Sequence, residues 1–353
     1  GVSDYGDILL MPMNGHPSPD NKIYGSAFRH EEEKATAGFY SVKLLDDGIQ
    51  ATLTATERAG MHHYTFSSAT DNAIILDLAH RDEVIESYLN LADSVTITGL
   101  RRSKSWASNQ YVYFVIKFSS PVIKCGIWKD GLPEEQSAYA ASKKLKAYFR
   151  FNLPATNDIF VKVAISPVSV EGALRNLETE MPGWDFDAVK TAAEQKWEYE
   201  LSKIEVRSED ISKLRIFYTA LYHTAIVPNI NMDVDGQYRG MDGKIHMAAG
   251  FTYYSVFSLW DTYRAAHPLY SIIDRQRTLD YIKTFLVQYQ QGGRLPVWEL
   301  ASCETDCMIG YHSVPVITDA YVKGITGFDT RLALDAMKKS ANWNHFGLPA
   351  YIK

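Results

Sequence analysis

The chain has 353 residues, 46% of them apolar, with 36 Lys and Arg against 42 Asp and Glu and a formal net charge of −6. That length exceeds what a single hydrophobic core fills, so at least two domains are expected. The acidic balance, without a long basic run, argues against nucleic acid and anionic membrane surfaces, and no apolar run reaches the roughly eighteen residues of a membrane-spanning helix.

Up to about Pro167 the sequence has period two, with turn residues between short β-branched and aromatic runs. Phe39–Leu45, the Asp46-Asp47-Gly48 turn and Ile49–Thr56 predict a hairpin. Further strands are expected at Met61–Ser67, Ala73–Leu78, Ser94–Leu100, Tyr111–Phe118, Lys144–Phe151 and Asp158–Ile165. About ten strands at this spacing predict a large antiparallel β-sandwich.

After Pro167 the period becomes helical. Phe186, Val189, Ala193, Trp197 and Leu201 share one face, as do Ile211, Leu214, Tyr218, Leu221 and Ala225. A third helix is expected from near Pro268 to Gly292-Gly293, through Leu269, Ile272, Ile273, Leu279, Ile282 and Leu286. Val316, Ile317, Ala320 and Tyr321 predict a fourth, closed by Lys323-Gly324. Strands first and helices second imply segregated domains. The expected division is a β-sandwich at 1–167, a linker at 168–184 and a helical domain at 185–353.

Three loop stretches concentrate residues suited to sugars: Ser258-Leu-Trp-Asp-Thr-Tyr-Arg264, Gly292-Gly-Arg-Leu-Pro-Val-Trp-Glu299, and Glu304-Thr-Asp-Cys-Met-Ile-Gly-Tyr-His312. Aromatic rings offer flat faces to the C–H side of a pyranose, while carboxylates and a guanidinium take its hydroxyls. The candidate binding residues are Trp260, Asp261, Arg264, Trp298, Glu299, Glu304 and His312. Most have a plainer reading. Asp261 suits a helix N-cap paired with Arg264; Trp298 suits a plug between domains, and Glu299 a loop charge. Glu304 and Asp306 suit the start of a helix, although two carboxylates so spaced also suit assistance to a cation. His62 and His63, adjacent in a strand, point to opposite faces and are no metal pair. Arg101-Arg-Ser-Lys104 reads as a solvated turn. Cys125, Cys303 and Cys307 are odd in number, and no Cys/His cluster supports a metal role.

These motifs, with Pro315-Val-Ile-Thr-Asp-Ala-Tyr-Val-Lys-Gly324, resemble the calcium-dependent exo-α-mannosidases of glycoside hydrolase family 92. So do Asp4-Tyr-Gly-Asp-Ile-Leu9, Gly38–Leu44, Gly48–Thr56 and Gly60–Phe66, and the likeness runs in order from about Asp4 to Phe328. The resemblance implies that the helical domain is the first part of an (α/α)6 toroid. It also implies an inverting release of terminal α-linked mannose from glycans, calcium as cofactor, a mannose-containing glycan as partner, and a periplasmic or secreted location. The family's Trp-Asp-Thr motif supplies a carboxylate to the terminal mannose, which Asp261 matches. Its general acid and base lie downstream, so both are expected beyond Lys353, with no catalytic residue in this segment and its metal ligands unassigned. Family members are about twice this long, so the chain, opening in a glycine turn at Gly1, reads as an internal fragment. The competing readings are another α/α-toroid glycosidase or phosphorylase, and a glycan-binding protein without catalysis.

Overall fold

The computed structural model describes residues 4–134, 137–153 and 157–344. The glycine turn expected at Gly1 and the end at Lys353 lie outside the described residues. The chain divides into two compact units, Gly1–Tyr199 and Glu200–Lys353.

The first unit is an antiparallel sandwich. One sheet contains β1 (Leu9–Asn14), β6 (Asn72–Asp77), β13 (Leu145–Phe151), β10 (Lys124–Lys129) and β11 (Leu132–Glu134), in that order. The larger sheet runs β12 (Tyr139–Ala141), β7 (Glu83–Leu91), β8 (Thr96–Lys104), β9 (Gln110–Phe118), β14 (Asp158–Ser166), β5 (Ala59–Thr65), β4 (Ile49–Ala55), β3 (Phe39–Leu44) and β2 (Glu33–Thr36). A one-turn helix α1 (Asn21–Tyr24) follows β1. The expected hairpin is β3–β4, with Leu44 opposite Ile49 and Gly48 at φ 65°, a left-handed position that glycine occupies without strain. Between the sheets, Ile49, Ile97, Phe114 and Phe149 are wholly buried, each contributing roughly 1.5–3 kcal/mol.

Residues 168–184, expected as a linker, carry helix α2 (Val170–Glu180). Ser169 Oγ accepts from Gly172 N at 3.0 Å to cap it. Its Ala173 and Leu177, with Met181 beyond, pack on Ala59, Met61, Val115 and Ala164. Helix α3 (Phe186–Leu201) follows, and the division between the two units falls inside it.

The Arg101–Lys104 segment is not a solvated turn. It lies in β8, where Arg101 is 1% exposed. Its guanidinium donates to Asp7 Oδ1 at 2.6 Å, to the carbonyls of Leu78 and His80, and to Asp82. Burial outweighs Arg101 in setting the Asp7 carboxyl, which is pushed up to about 6. The two adjacent histidines diverge as a strand requires: His62 Nδ1 lies 2.6 Å from Tyr64 Oη, and His63 stacks on Phe160 with Nε2 3.2 Å from Asp158. Burial takes His62 down to about 4.

The second unit is helical: α4 (Ile211–Ile226), α5 (Leu259–Thr262), α6 (Ala266–Ile273), α7 (Arg275–Gly292), α8 (Ser313–Val322) and α9 (Thr330–Ala341). The single helix expected from Pro268 to Gly292 is α6 and α7, broken at Asp274, whose carboxylate accepts from Arg277 N at 3.0 Å and starts the second helix. Gly293, at φ 86°, ends α7. Tyr281, Phe285, Ile282 and Ile317 form the core of this unit. Short strand pairs fill the loops: β15 (Asn229–Ile230) with β18 (Tyr254–Ser255), and β16 (Gln237–Arg239) with β17 (Ile245–Met247).

Candidate functional site

The three motif loops meet in one small antiparallel sheet. Strand β19 (Phe257–Ser258) pairs with β20 (Trp298–Leu300), which pairs with β21 (Cys303–Glu304). In register, Ser258 faces Trp298 and Phe257 faces Glu299, while Glu299 also faces Glu304. Helix α5 leaves this sheet directly, so the Trp260-Asp261 pair is carried at the edge of the strand that holds Trp298 across from it.

Asp261 is exposed and lies within α5 rather than at its N-cap, which is Ser258. One carboxylate oxygen accepts from Ser258 Oγ at 2.5 Å. The expected Asp261–Arg264 ion pair does not form among the described residues. Arg264 is exposed and turns its guanidinium over the rings of Trp260 and Tyr263, 5.4 and 5.3 Å from their centroids, and donates to the Trp260 carbonyl at 3.3 Å. His312, from the third loop, sits against the same rings, 4.2 Å from Tyr263 and edge-on to Trp260 at 5.3 Å. Burial, and then Arg264 close by, hold His312 below the usual histidine range. Trp260, Asp261, Tyr263, Arg264 and His312 thus present rings, a carboxylate and a guanidinium together. Tyr263 is the member that the sequence candidates omitted, although it stands inside the quoted motif.

Glu299 and Glu304 take a different role. Glu299 is fully buried; its Oε1 accepts from Ser255 Oγ at 3.0 Å and from Ser302 N at 2.6 Å. Ser255 Oγ in turn accepts from Ala301 N at 2.8 Å. Burial pushes the Glu299 carboxyl up to about 8, opposed by these bonds. Glu304 accepts from the backbone N–H groups of Val297, Trp298 and Asp306 at 2.8, 2.9 and 3.0 Å. Both carboxylates therefore hold the loop from within, and Glu299, expected among the sugar-facing residues, has no exposed atom to offer. What they hold is a strained backbone. Val256, Ala301, Ser302, Asp306 and Met308 all have φ between 50° and 70°. Such positions cost on the order of 1 kcal/mol or more each and concentrate where a site dictates the chain path.

Among the described residues, the carboxylates of these loops do not gather as a calcium site would require. Both oxygens of Glu304 are engaged by backbone donors, Asp306 pairs with Arg294, and among the described residues no group of three His, Cys, Asp or Glu converges as a metal would need.

An antiparallel sandwich followed by a helical domain, with aromatic rings and a carboxylate gathered in the loops of the latter, is the architecture of one class of carbohydrate-active proteins. Residues 1–166 match the glycosyl hydrolase family 92 N-terminal domain and residues 172–352 match the glycosyl hydrolase family 92 catalytic domain. The chain belongs to glycosyl hydrolase family 92. It superposes on a family 92 α-mannosidase from Bacteroides thetaiotaomicron with TM-score 0.92 and 36% identity, covering 98% of this chain and 49% of that one; the same enzyme is solved in complex with mannoimidazole. A family 92 inverting mannosidase from the same organism gives TM-score 0.89 at 28% identity, over 97% of this chain and 46% of that one. A protein of Arthroderma benhamiae described as an uncharacterized secreted glycosidase is 27% identical over 97% of this chain and 44% of its own length. The chain spans about half the length of each of these relatives.

Proposed function

We propose that this chain forms part of an inverting, calcium-assisted exo-α-mannosidase that removes terminal α-linked mannose from glycans outside the cytoplasm. The observation that carries this reading is the meeting of three motif loops in the β19–β20–β21 sheet, which sets Asp261, Arg264 and His312 around the rings of Trp260 and Tyr263. The mannoimidazole-bound relative and the inverting relative support the substrate and the stereochemistry.

In this reading Trp260 and Tyr263 take the apolar face of the terminal sugar. Asp261, whose one oxygen is oriented by Ser258, accepts sugar hydroxyls with the other. Arg264 donates to ring hydroxyls from the rim. His312, which burial and Arg264 favour in the neutral form, offers a ring nitrogen to a hydroxyl donor. Glu299 and Glu304 keep the loop in the shape that presents these groups. The general acid and base come from the remainder of the protein, about 6.5–9.5 Å apart across the scissile bond as inversion requires. Calcium, with ligands from outside the described residues, would supply Lewis-acid contact to sugar hydroxyls. The helices of the second unit belong in this proposal to an (α/α)6 toroid.

Proton NMR of the first-formed sugar tests the reading on the whole protein, using α-mannosides and α-glucosides with and without a calcium chelator. Release of β-mannose, suppressed by chelation and restored by Ca²⁺, is expected. Retention, indifference to chelation, or preference for glucosides would favour another toroid glycosidase; binding without release would favour a glycan-binding protein.

A further inference from the structure

In the large sheet of the first unit, Lys162 of β14 stands directly opposite Lys117 of β9. Like charges at that position destabilise a sheet. The fold nevertheless encloses Lys162 to 4% exposure. Its ammonium donates to the Met181 carbonyl at 2.8 Å and lies over the Trp184 ring, 4.3 Å from the centroid. Glu178 is the carboxylate at this place, 3.7 Å from Lys117 and mostly exposed. Two cations and one anion therefore line a cleft of about 240 Å³, walled by Leu177, Met181 and Pro182 and by the Trp184 ring. Burial, and then the neighbouring Lys117, hold Lys162 below the usual lysine range, as expected of a cation short of counter-charge.

A structural role explains part of this. Lys162 reaches the carbonyl that ends α2, where a cation complements the helix dipole. That role does not call for Lys117 opposite it, nor for an open cleft beside the pair. We propose that the cleft binds a small oxyanion, carboxylate or phosphate, borne on a single sugar-sized ring that lies along Trp184 and the apolar wall. Ammonium groups act as point charges and accept either oxyanion, where a guanidinium fork would impose planar bidentate geometry. The volume falls below the roughly 300–1,000 Å³ of pockets for drug-sized ligands, which limits the occupant to about one ring. All of the lining belongs to the first unit and none to the loop site, so this proposal stands apart from the mannosidase reading.

Saturation-transfer NMR and calorimetry on the whole protein test it with four probes: glucuronate, glucose 6-phosphate, inorganic phosphate and methyl glucoside. The two acidic sugars should bind saturably, inorganic phosphate more weakly and methyl glucoside not at all; the relative affinities of the acidic sugars tell carboxylate from phosphate. Lys117→Met leaves the Lys162–Met181 bond and the Trp184 contact in place, and should weaken the acidic sugars at least roughly tenfold, the loss of one charge-assisted contact. Lys162→Met should abolish binding; if that variant does not fold, Lys117→Met decides. Absence of saturable binding by both acidic sugars at tens of millimolar, unchanged affinity in Lys117→Met, or equal binding of methyl glucoside would overturn the proposal.

Discussion

Replacing Glu299 by Gln tests whether the loop site rests on a protonated carboxyl. The Gln288 side chain lies within hydrogen-bonding reach of the buried Glu299 carboxyl. A proton on the carboxyl removes the buried charge, and so does the amide of a glutamine placed there, while Oε1 still accepts from Ser255 and Ser302. Burial raises the folded-state pKa from the ordinary 4.5 to about 8. The folded protein then holds a proton that the unfolded chain has released. The corresponding stability is fully present below pH 4.5 and is lost as pH rises through 8. At about 1.4 kcal/mol per tenfold, the full displacement corresponds to about 5 kcal/mol, of which about 3–4 kcal/mol is lost between pH 5 and pH 8. Glu299→Gln has no proton to lose. Its denaturation curves, measured by circular dichroism from pH 5 to pH 9, should coincide with wild type near pH 5 and lie progressively above it towards pH 8. Parallel pH dependences, or a variant less stable than wild type at pH 8, would refute the argument that Glu299 is neutral in the fold.

Asp261→Ala in the whole protein should lower kcat/KM roughly ten- to a hundredfold for each charge-assisted bond lost to the sugar, with little change in Tm because the side chain is exposed and outside the core. An unaltered kcat/KM with a large fall in Tm would assign Asp261 to the helix alone. His312→Phe should preserve the ring contacts to Trp260 and Tyr263 while weakening substrate binding, read as a rise in KM with Tm held. On α4, Ile211 and Ile216 are 65% and 69% exposed, so the 353-residue chain by itself should bind a hydrophobic dye, and lysine at both positions should reduce that signal without lowering Tm.

Alternation of apolar and polar residues made the hairpin Phe39–Thr56 and six further strands legible, because period two has few competing interpretations when turn residues bound it, but it did not pick out β1, β7 or β10. The helical faces of α3 and α4 were legible too, except that Ile211, expected on the α4 face, is exposed. Helix α2 was not, since its apolar positions are few and acquire meaning only against Met61, Val115 and Ala164 on the sheet. The division of α6 from α7 depended on a single carboxylate, Asp274, turning to cap Arg277 N, which periodicity averages away. Arg101 shows the limit most clearly. Four residues of similar polarity look like a turn until Asp7 and Asp82, distant in sequence, arrive to neutralise the one that points inward.

The same division holds at the candidate site. Sequence alone identified the loops, because Trp, Asp, Arg and His gathered in short polar stretches are residue types whose chemistry does not depend on where the chain goes next. It also carried the family resemblance, through motifs in register along most of the chain. Which carboxylates face outward was decided by tertiary structure. Asp261, Glu299 and Glu304 are all acidic loop residues in sequence, yet the first is exposed, the second is enclosed beneath Ser255 and Ser302, and the third is consumed by three backbone donors. The charge of a side chain is a local property, but its availability to a ligand is set by the strands that pair around it, and here those are Ser258 with Trp298 and Glu299 with Glu304.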